Sequence, residues 1–219
     1  MAARVVLFDF DGTIADTYQA IADITNQLSS EFGYKPLGKE ELLLLKNLSS
    51  REVVRRTEIS VFKIPFLVKR VRTELSKEIA NLKPIPDIDQ VLLKLKEQEY
   101  TLGIITSNIK ENVDIFLRKN NLDDMFDFVY SSTSIFGKHR VINRVIKQHN
   151  LRRSEVIYVG DETRDIRSAR KSQISIISVT WGFNSAEILA EYQPDLLVVT
   201  PQELLERIVI SDRPLQEQI

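Results

Sequence analysis

From residue 87 onward, short apolar runs alternate with amphipathic stretches, and this rhythm limits the fold more than any other feature of the chain. Ile88, Val91, Leu92 and Leu95 recur at helical spacing within Asp87 to Glu99, and Thr101 to Thr106 then reads as a compact buried strand. A helix from about Lys110 to Asn120, a strand at Phe126 to Tyr130 and a helix from Lys138 to His149 follow. The series continues with a strand at Glu155 to Val159, a helix at Thr163 to Lys171 and a strand at Ile174 to Val179. A helix near Ala186 to Tyr192, a strand at Leu196 to Val199 and a helix opened by Pro201 complete it. Strands joined by helices cannot pair as hairpins, so the expectation is an α/β fold: a Rossmann-like core with a parallel sheet. The stretch after Ile210 reads as a loose tail.

Residues 17–83 break the rhythm. Ile21, Ile24, Leu28 and Phe32 form one helical stripe and Leu67, Val71, Leu75 and Ile79 another, with no strand between them. Gly33 and Pro36 interrupt the first part, and Pro84-Ile85-Pro86 marks the return to the alternating pattern. The predicted organisation is a core of residues 1–16 and 84–219, with an all-helical cap of residues 17–83 inserted after the first strand.

That first strand, Val5-Val6-Leu7-Phe8, ends in Asp9-Phe10-Asp11-Gly12-Thr13. Two carboxylates one residue apart at a strand's carboxyl end repel each other unless a cation or a shared proton relieves them. A hard divalent ion with oxygen ligands is the natural relief, and a carboxylate beside such an ion can attack phosphorus. An EF-hand would need further acids at alternating positions and a closing Glu, whereas Gly12, Thr13 and Ile14 follow here.

In an open α/β sheet, ligands bind outside the carboxyl ends of the strands. Other predicted strand ends carry Thr106-Ser107-Asn108 and Gly160-Asp161-Glu162-Thr163-Arg164-Asp165, and Lys138 opens a helix. If these strands are neighbours, the groups suit phosphoryl transfer, where positioning and charge neutralisation do most of the work. Asp9 is placed as nucleophile. Asp11 is placed as the acid that protonates the leaving oxygen and then the base that activates water. Mg²⁺ would bind Asp9, the Asp11 carbonyl and Asp161. Thr106, Ser107 and nearby backbone N–H groups would hold phosphoryl oxygens, Lys138 would neutralise charge, and Asp165 would anchor Lys138. Gly12 lets the backbone turn close to the phosphate, and Thr13 can fix that turn through its hydroxyl. Taken singly, Thr106 would read as a cap, Lys138 as a solvated helix start and Asp165 as a complement to a helix dipole.

The composition removes competing chemistries. With no cysteine, disulfides, thiolate metal sites and a cysteine nucleophile are excluded. The formal net charge of −1 gives no basic field for nucleic acid. No stretch approaches the roughly 20 apolar residues of a membrane span, and the start has no signal-peptide core, so a cytoplasmic protein is expected. Residues 51–77 nevertheless hold eight Lys or Arg against three Glu, a local excess of +5. That excess reads as a solvated helix face or as an anion-attracting surface.

Asp9-x-Asp11-Gly12-Thr13-x-x-Asp16, Thr106-Ser107-Asn108, Lys138 and Gly160-Asp161-x-x-x-Asp165 stand in the order of the four motifs of the haloacid dehalogenase superfamily. The chain most resembles its small helical-cap subfamily, the phosphoglycolate phosphatases and their relatives. Arg164 to Lys171 and Trp181-Gly182-Phe183 agree as well. The resemblance implies a Mg²⁺-dependent phosphatase with a mobile cap, acting on a small phosphorylated metabolite as a monomer or homodimer. It also adds Asn108 to the substrate-binding residues and puts Arg51, in Leu48-Ser49-Ser50-Arg51, where related caps carry a substrate-reading loop. Two departures stand out: no proline follows Lys138, and Asp87 occupies a position where glycine is common. A phosphomutase would share every core residue, and a regulatory phosphoacceptor would use the same residue types without turnover. The latter would carry its reactive Asp on a later strand and lack an insert.

Overall fold

The computed structural model describes residues 4–56, 59–131 and 137–212. Six strands form one parallel sheet: β1 (Val5–Phe8), β2 (Thr101–Thr106), β3 (Phe128–Ser131), β4 (Val156–Gly160), β5 (Ser175–Val179) and β6 (Leu196–Val198). Their order is β3-β2-β1-β4-β5-β6. The chain winds outward from β1 through β2 to β3, then returns to the other side of β1. The reversal lies between β1 and β4, with β2 on the opposite flank of β1, and such a reversal opens a crevice at the strands' carboxyl ends.

Alternation along each strand feeds two apolar layers. Val6, Phe8, Leu102, Ile104, Ile157 and Val159 point to one face. They pack with helices α6 (Ile88–Glu97), α7 (Lys110–Lys119) and α11 (Pro201–Asp212). Val5, Leu7, Ile105, Val156 and Tyr158 point to the other, against α8 (Lys138–Gln148), α9 (Thr163–Lys171) and α10 (Ala186–Glu191). Each fully buried Phe, Leu or Ile stabilises the fold by about 1.5–3 kcal/mol, so the short strands are held by side-chain burial as well as by their ladders.

The strand expected at 126–130 begins two residues later. Asp123–Met125 form a 3₁₀ turn, and the Asp127 carboxylate accepts the Leu102 N–H at 2.8 Å in place of a strand carbonyl. The tail expected after Ile210 starts later, since the last helix runs Pro201–Asp212, and residues 213–219 lie outside the described residues.

Between β1 and α6 the elements among the described residues are all helical: α1 (Tyr18–Gln27), α2 (Ser29–Phe32), α3 (Lys39–Lys46), α4 (Ser50–Arg56) and α5 (Ile64–Glu78), with single 3₁₀ turns around α5. Gly33 ends α2 with φ +76°, a conformation glycine adopts without steric cost. The two predicted stripes meet as α1 packs on α5, burying Ile24, Leu28, Leu67, Leu75 and Ile79. The insert leaves and re-enters the sheet region side by side. Asp16 N–H donates to the Lys83 carbonyl at 3.0 Å and Ile85 N–H to that of Ile14 at 2.9 Å. Just past this seam Asp87 has φ +65° at the start of α6, which explains why glycine suits the position. No helix among the described residues is long and apolar enough to cross a membrane.

Candidate active site

Because β1 lies between β2 and β4, the three sequence segments that follow these strands converge. Asp9, at the end of β1, is 1% exposed. Its Oδ1 accepts the Phe10 N–H at 2.8 Å. Its Oδ2 lies 2.7 Å from the Lys138 ammonium, close enough for an ion pair but not aligned as a hydrogen bond, and this buried oxygen accepts none. Lys138 opens α8 from the second apolar face and also donates to Asp165 Oδ1 at 2.5 Å. Burial alone would lower the lysine's pKa, but the carboxylates of Asp165 and Asp9 hold it above its ordinary value.

Asp11 stands further out. Asn108, at the start of the β2–α7 connection, donates from Nδ2 to both Asp11 oxygens at 3.1 and 3.2 Å. Burial, and then the neighbouring Asp9 charge, push its carboxyl up to about 7 against the opposing hydrogen bond from Asn108. A carboxyl so placed exchanges its proton near neutral pH.

Asp161, at the end of β4, is fully buried. Its Oδ1 accepts the Thr13 hydroxyl at 2.7 Å, and its Oδ2 accepts the Phe183 N–H at 2.7 Å. The Thr13 hydroxyl thus spans two strand ends and does not fasten its own turn. Gly12, at φ +76°, and Gly182 leave room for the Asp161 carboxylate. A Cβ on Gly12 would lie 2.5 Å from its Oδ2, and one on Gly182 would lie 2.1 Å from the same atom. Burial, followed by Glu162, Asp9 and Asp165, raises the Asp161 carboxyl well above the usual range. Asp165 is raised to about 6, by burial first, with Lys138 opposing. Its Oδ2 accepts the Glu162 N–H at 3.1 Å, closing the first turn of α9.

Oxygens of Asp9, Asp161 and Asp165 all lie within 4.8 Å of one another. The Asp11 side chain is not among them; only its backbone carbonyl was a candidate ligand. Four buried carboxylates gather here, two of them, Asp9 and Asp165, against Lys138, and Arg164 is matched by Glu162. This excess of negative charge, together with the unsatisfied Asp9 Oδ2, suits a hard divalent cation with oxygen ligands.

The remaining predicted residues divide. Thr106 is buried, and its hydroxyl accepts the Asn108 N–H at 2.9 Å, shaping the turn after β2. Ser107 stands at the rim, its hydroxyl accepting from Arg164 Nη1 at 3.4 Å. Arg51 is exposed on α4, beside the α9 face that carries Arg164, Arg167 and Lys171. His149, at the end of the helix that Lys138 opens, packs its ring on Phe128 at 4.5 Å and meets the Tyr130 hydroxyl at 3.1 Å, outside the site. Trp181 donates to the Thr13 carbonyl at 3.3 Å, and the Phe183 ring stacks edge-on against Tyr18 of α1 at 5.3 Å.

Sequence reasoning missed three residues. Glu162, given no role by its place in the motif, pairs with Arg164 and accepts the Ser50 hydroxyl at 3.2 Å. Asn184 is 5% exposed and joins both parts of the chain: its Oδ1 accepts the Thr163 N–H at 2.9 Å. Its Nδ2 donates to the carbonyls of Lys46 at 3.2 Å and Leu48 at 3.0 Å. Lys46 in turn donates to the Gly182 carbonyl at 2.9 Å and lies 4.1 Å over the Tyr18 ring. Only the polar residue after Trp181-Gly182-Phe183 hinted at Asn184; nothing in the pattern pointed to Lys46.

Comparison with known proteins adds to this geometry. Residues 6–179 match the family described as "Haloacid dehalogenase-like hydrolase". A phosphoglycolate phosphatase of Synechococcus elongatus is 34% identical over 205 residues, covering 94% of this chain and 97% of its own. A haloacid dehalogenase-like family hydrolase from Streptococcus pneumoniae superposes with a TM-score of 0.78 at 26% identity, covering 94% of this chain and 98% of its own. A Clostridium acetobutylicum structure described as a predicted phosphatase shares the fold, with a TM-score of 0.83 at 22% identity and coverage of 96% and 100%.

Proposed function

The chain belongs to the haloacid dehalogenase-like hydrolases, and from that premise we propose that it is a Mg²⁺-dependent phosphatase that cleaves a small phosphate monoester of the phosphoglycolate kind through an aspartyl phosphate on Asp9. The observation that carries the reading is the paired state of the two acids after β1. Asp9 is buried beside Lys138 with one oxygen unsatisfied, and Asp11 is held near a pKa of about 7.

Asp9, Asp161 and the Asp11 carbonyl would hold Mg²⁺, which when bound would draw negative charge off the phosphoryl oxygens. Thr106, Ser107 and Asn108, with the N–H groups around Gly12 and Thr13, orient the phosphoryl group. An Asp9 oxygen forms a bond to phosphorus as the bond from phosphorus to the ester oxygen breaks, and the leaving oxygen takes the Asp11 proton. Ionised Asp11 then takes a proton from water as the water oxygen bonds to phosphorus. The bond from phosphorus to Asp9 breaks, releasing inorganic phosphate and the Asp9 carboxylate. Lys138, anchored by Asp165, balances the charge of Asp9 through both steps.

In this reading residues 1–16 and 84–219 are the catalytic core and residues 17–83 the cap. The hydrogen-bonded crossings at 14–16 and 83–85 make a natural hinge. Closure excludes water while Asp9 attacks, with Arg51 on the moving side. The test is phosphate release from 2-phosphoglycolate by metal-stripped protein with and without added Mg²⁺. Activity is expected only with the ion. Full turnover in the presence of a chelator would overturn the metal assignment, and full Mg²⁺-dependent turnover by Asp9→Asn would overturn the nucleophile.

A further inference from the structure

Residues 182–185, in the connection from β5 to α10, take no part in the reaction above, yet the insert holds each of them. Lys46, the last residue of α3, donates from Nζ to the Gly182 carbonyl at 2.9 Å, and the Phe183 ring meets Tyr18 edge-on. Asn184 Nδ2 and the Ser185 N–H both donate to the Lys46 carbonyl, at 3.2 and 2.9 Å, and the Ser185 hydroxyl donates to Asn47. On its other side the same loop holds Asp161. The Phe183 N–H donates to Asp161 Oδ2 at 2.7 Å and the Asn184 N–H to the Asp161 backbone carbonyl at 3.3 Å.

Two of these bonds belong to one peptide unit. The Gly182 carbonyl and the Phe183 N–H are opposite ends of a single planar amide, so they turn together. Lys46 fixes the carbonyl end, and the N–H end then points at Asp161 Oδ2. Gly182 has no Cβ, which lets the plane lie against the carboxylate; a Cβ would come within 2.1 Å of Oδ2. The same absence lowers the steric barrier to rotating the plane, so a partner on the carbonyl is what holds it. An ammonium on that oxygen also polarises the amide and strengthens its N–H as a donor. The ammonium sits 4.1 Å over the ring of Tyr18, which also belongs to the insert.

We propose that Lys46 is a positioning residue for the cation site: from the insert it locks the amide between Gly182 and Phe183, and that amide turns Asp161 toward the ion. The proposal rests on the Mg²⁺ reading of the acids. Each Asp161 oxygen accepts one bond, from Thr13 or from Phe183; together they fix the rotation of the carboxylate and leave lone pairs for a cation. Groups that orient a metal's ligands govern its affinity as well as the ligands themselves do. Linkage makes the effect reciprocal, so a bound ion steadies residues 46–56 of the insert.

Mn²⁺ binding to metal-stripped protein, followed by loss of the free-ion EPR signal, reads the site without turnover. Lys46→Met keeps the length of the stem and removes the ammonium, and its Kd should rise about tenfold. Lys46→Arg, which can still donate to the carbonyl, should recover most of that loss. In the parent protein Mg²⁺ should slow amide exchange in residues 46–56, and in Lys46→Met that slowing should vanish. A Kd for Lys46→Met within about twofold of the parent's would overturn the role of Lys46 and leave the metal assignment standing. Equal losses in Lys46→Met and Lys46→Arg, or undiminished Mg²⁺ protection in Lys46→Met, would do the same. A parent protein that binds no Mn²⁺ would sink the metal assignment and this proposal together.

Discussion

At the strand ends Asp161 is held by a hydroxyl and a backbone N–H, Asp165 by an ammonium and a helix cap, and Lys138 by two carboxylates, all of them buried. In the insert, by contrast, α3 and α4 bury no residue. An apolar cavity of about 570 Å³, lined by Ile21, Leu45, Val54 and Leu67 among others, lies between these helices and the Phe183 loop. Leu43, Leu44, Phe62 and Phe66 are exposed on the same segment. One region is fixed by interlocking charges, where a small shift breaks several contacts at once. The other is held by sparse apolar packing and by ties such as Asn184 and Lys46. Phosphoryl transfer needs the first kind of order, and admission of substrate needs the second.

The sharpest break in this contrast is Asp9→Asn, which should lower turnover about 10⁵-fold while circular dichroism and melting temperature show an intact fold. Charge interlocking should also appear as a pH dependence of stability in metal-free protein. The carboxyl of Asp11 is raised from 3.8 to about 7, so the folded state holds a proton that the unfolded chain has lost between those values. Stability is therefore greatest below pH 4 on this account and falls as pH rises to about 7, by at most about 4 kcal/mol. Asp161 and Asp165, also raised, act with the same sign. Denaturant titrations of the parent and Asp11→Asn should converge at low pH and separate at pH 8, with the variant the more stable; parallel curves would refute the assignment.

Gly182→Ala pushes a methyl group onto Asp161 and should cost about 100-fold in Mg²⁺-dependent activity, because displacements of about 1 Å carry penalties of that size. Asn184→Ala, which cuts the tie to Lys46 and Leu48, should destabilise by about 1–3 kcal/mol and speed hydrogen exchange in residues 46–56 more than in β1 or β4. Exchange that accelerates equally in both regions would erase the contrast. Asp87→Gly, at the seam, should add about 1 kcal/mol of stability by relieving its left-handed backbone and leave KM unchanged.

Much of this was legible in the sequence. All six strands and most helices fell within a residue or two of their predicted places because each carries its own apolar period. Asp9, Asp11, Lys138, Asp161 and Asp165 could be picked out because strand ends and helix starts are marked by that same pattern. Arg164 was not, since an arginine in the first turn of a helix faces solvent as readily as a crevice until its neighbours are known. Asn184 and Lys46 were not, since their partners lie 136 to 138 residues away in sequence.

By itself, then, the sequence determined which reactive groups stand at which strand ends, because burial periodicity and turn residues act over a few positions of chain. The tertiary structure alone placed β1 between β2 and β4, turned the Thr13 hydroxyl toward Asp161 and brought Asn184 against the Lys46 and Leu48 carbonyls of the insert. Those outcomes depend on how crossover helices pack on the two faces of the sheet and on where distant charges meet at low dielectric, and neither is written in any local stretch of residues.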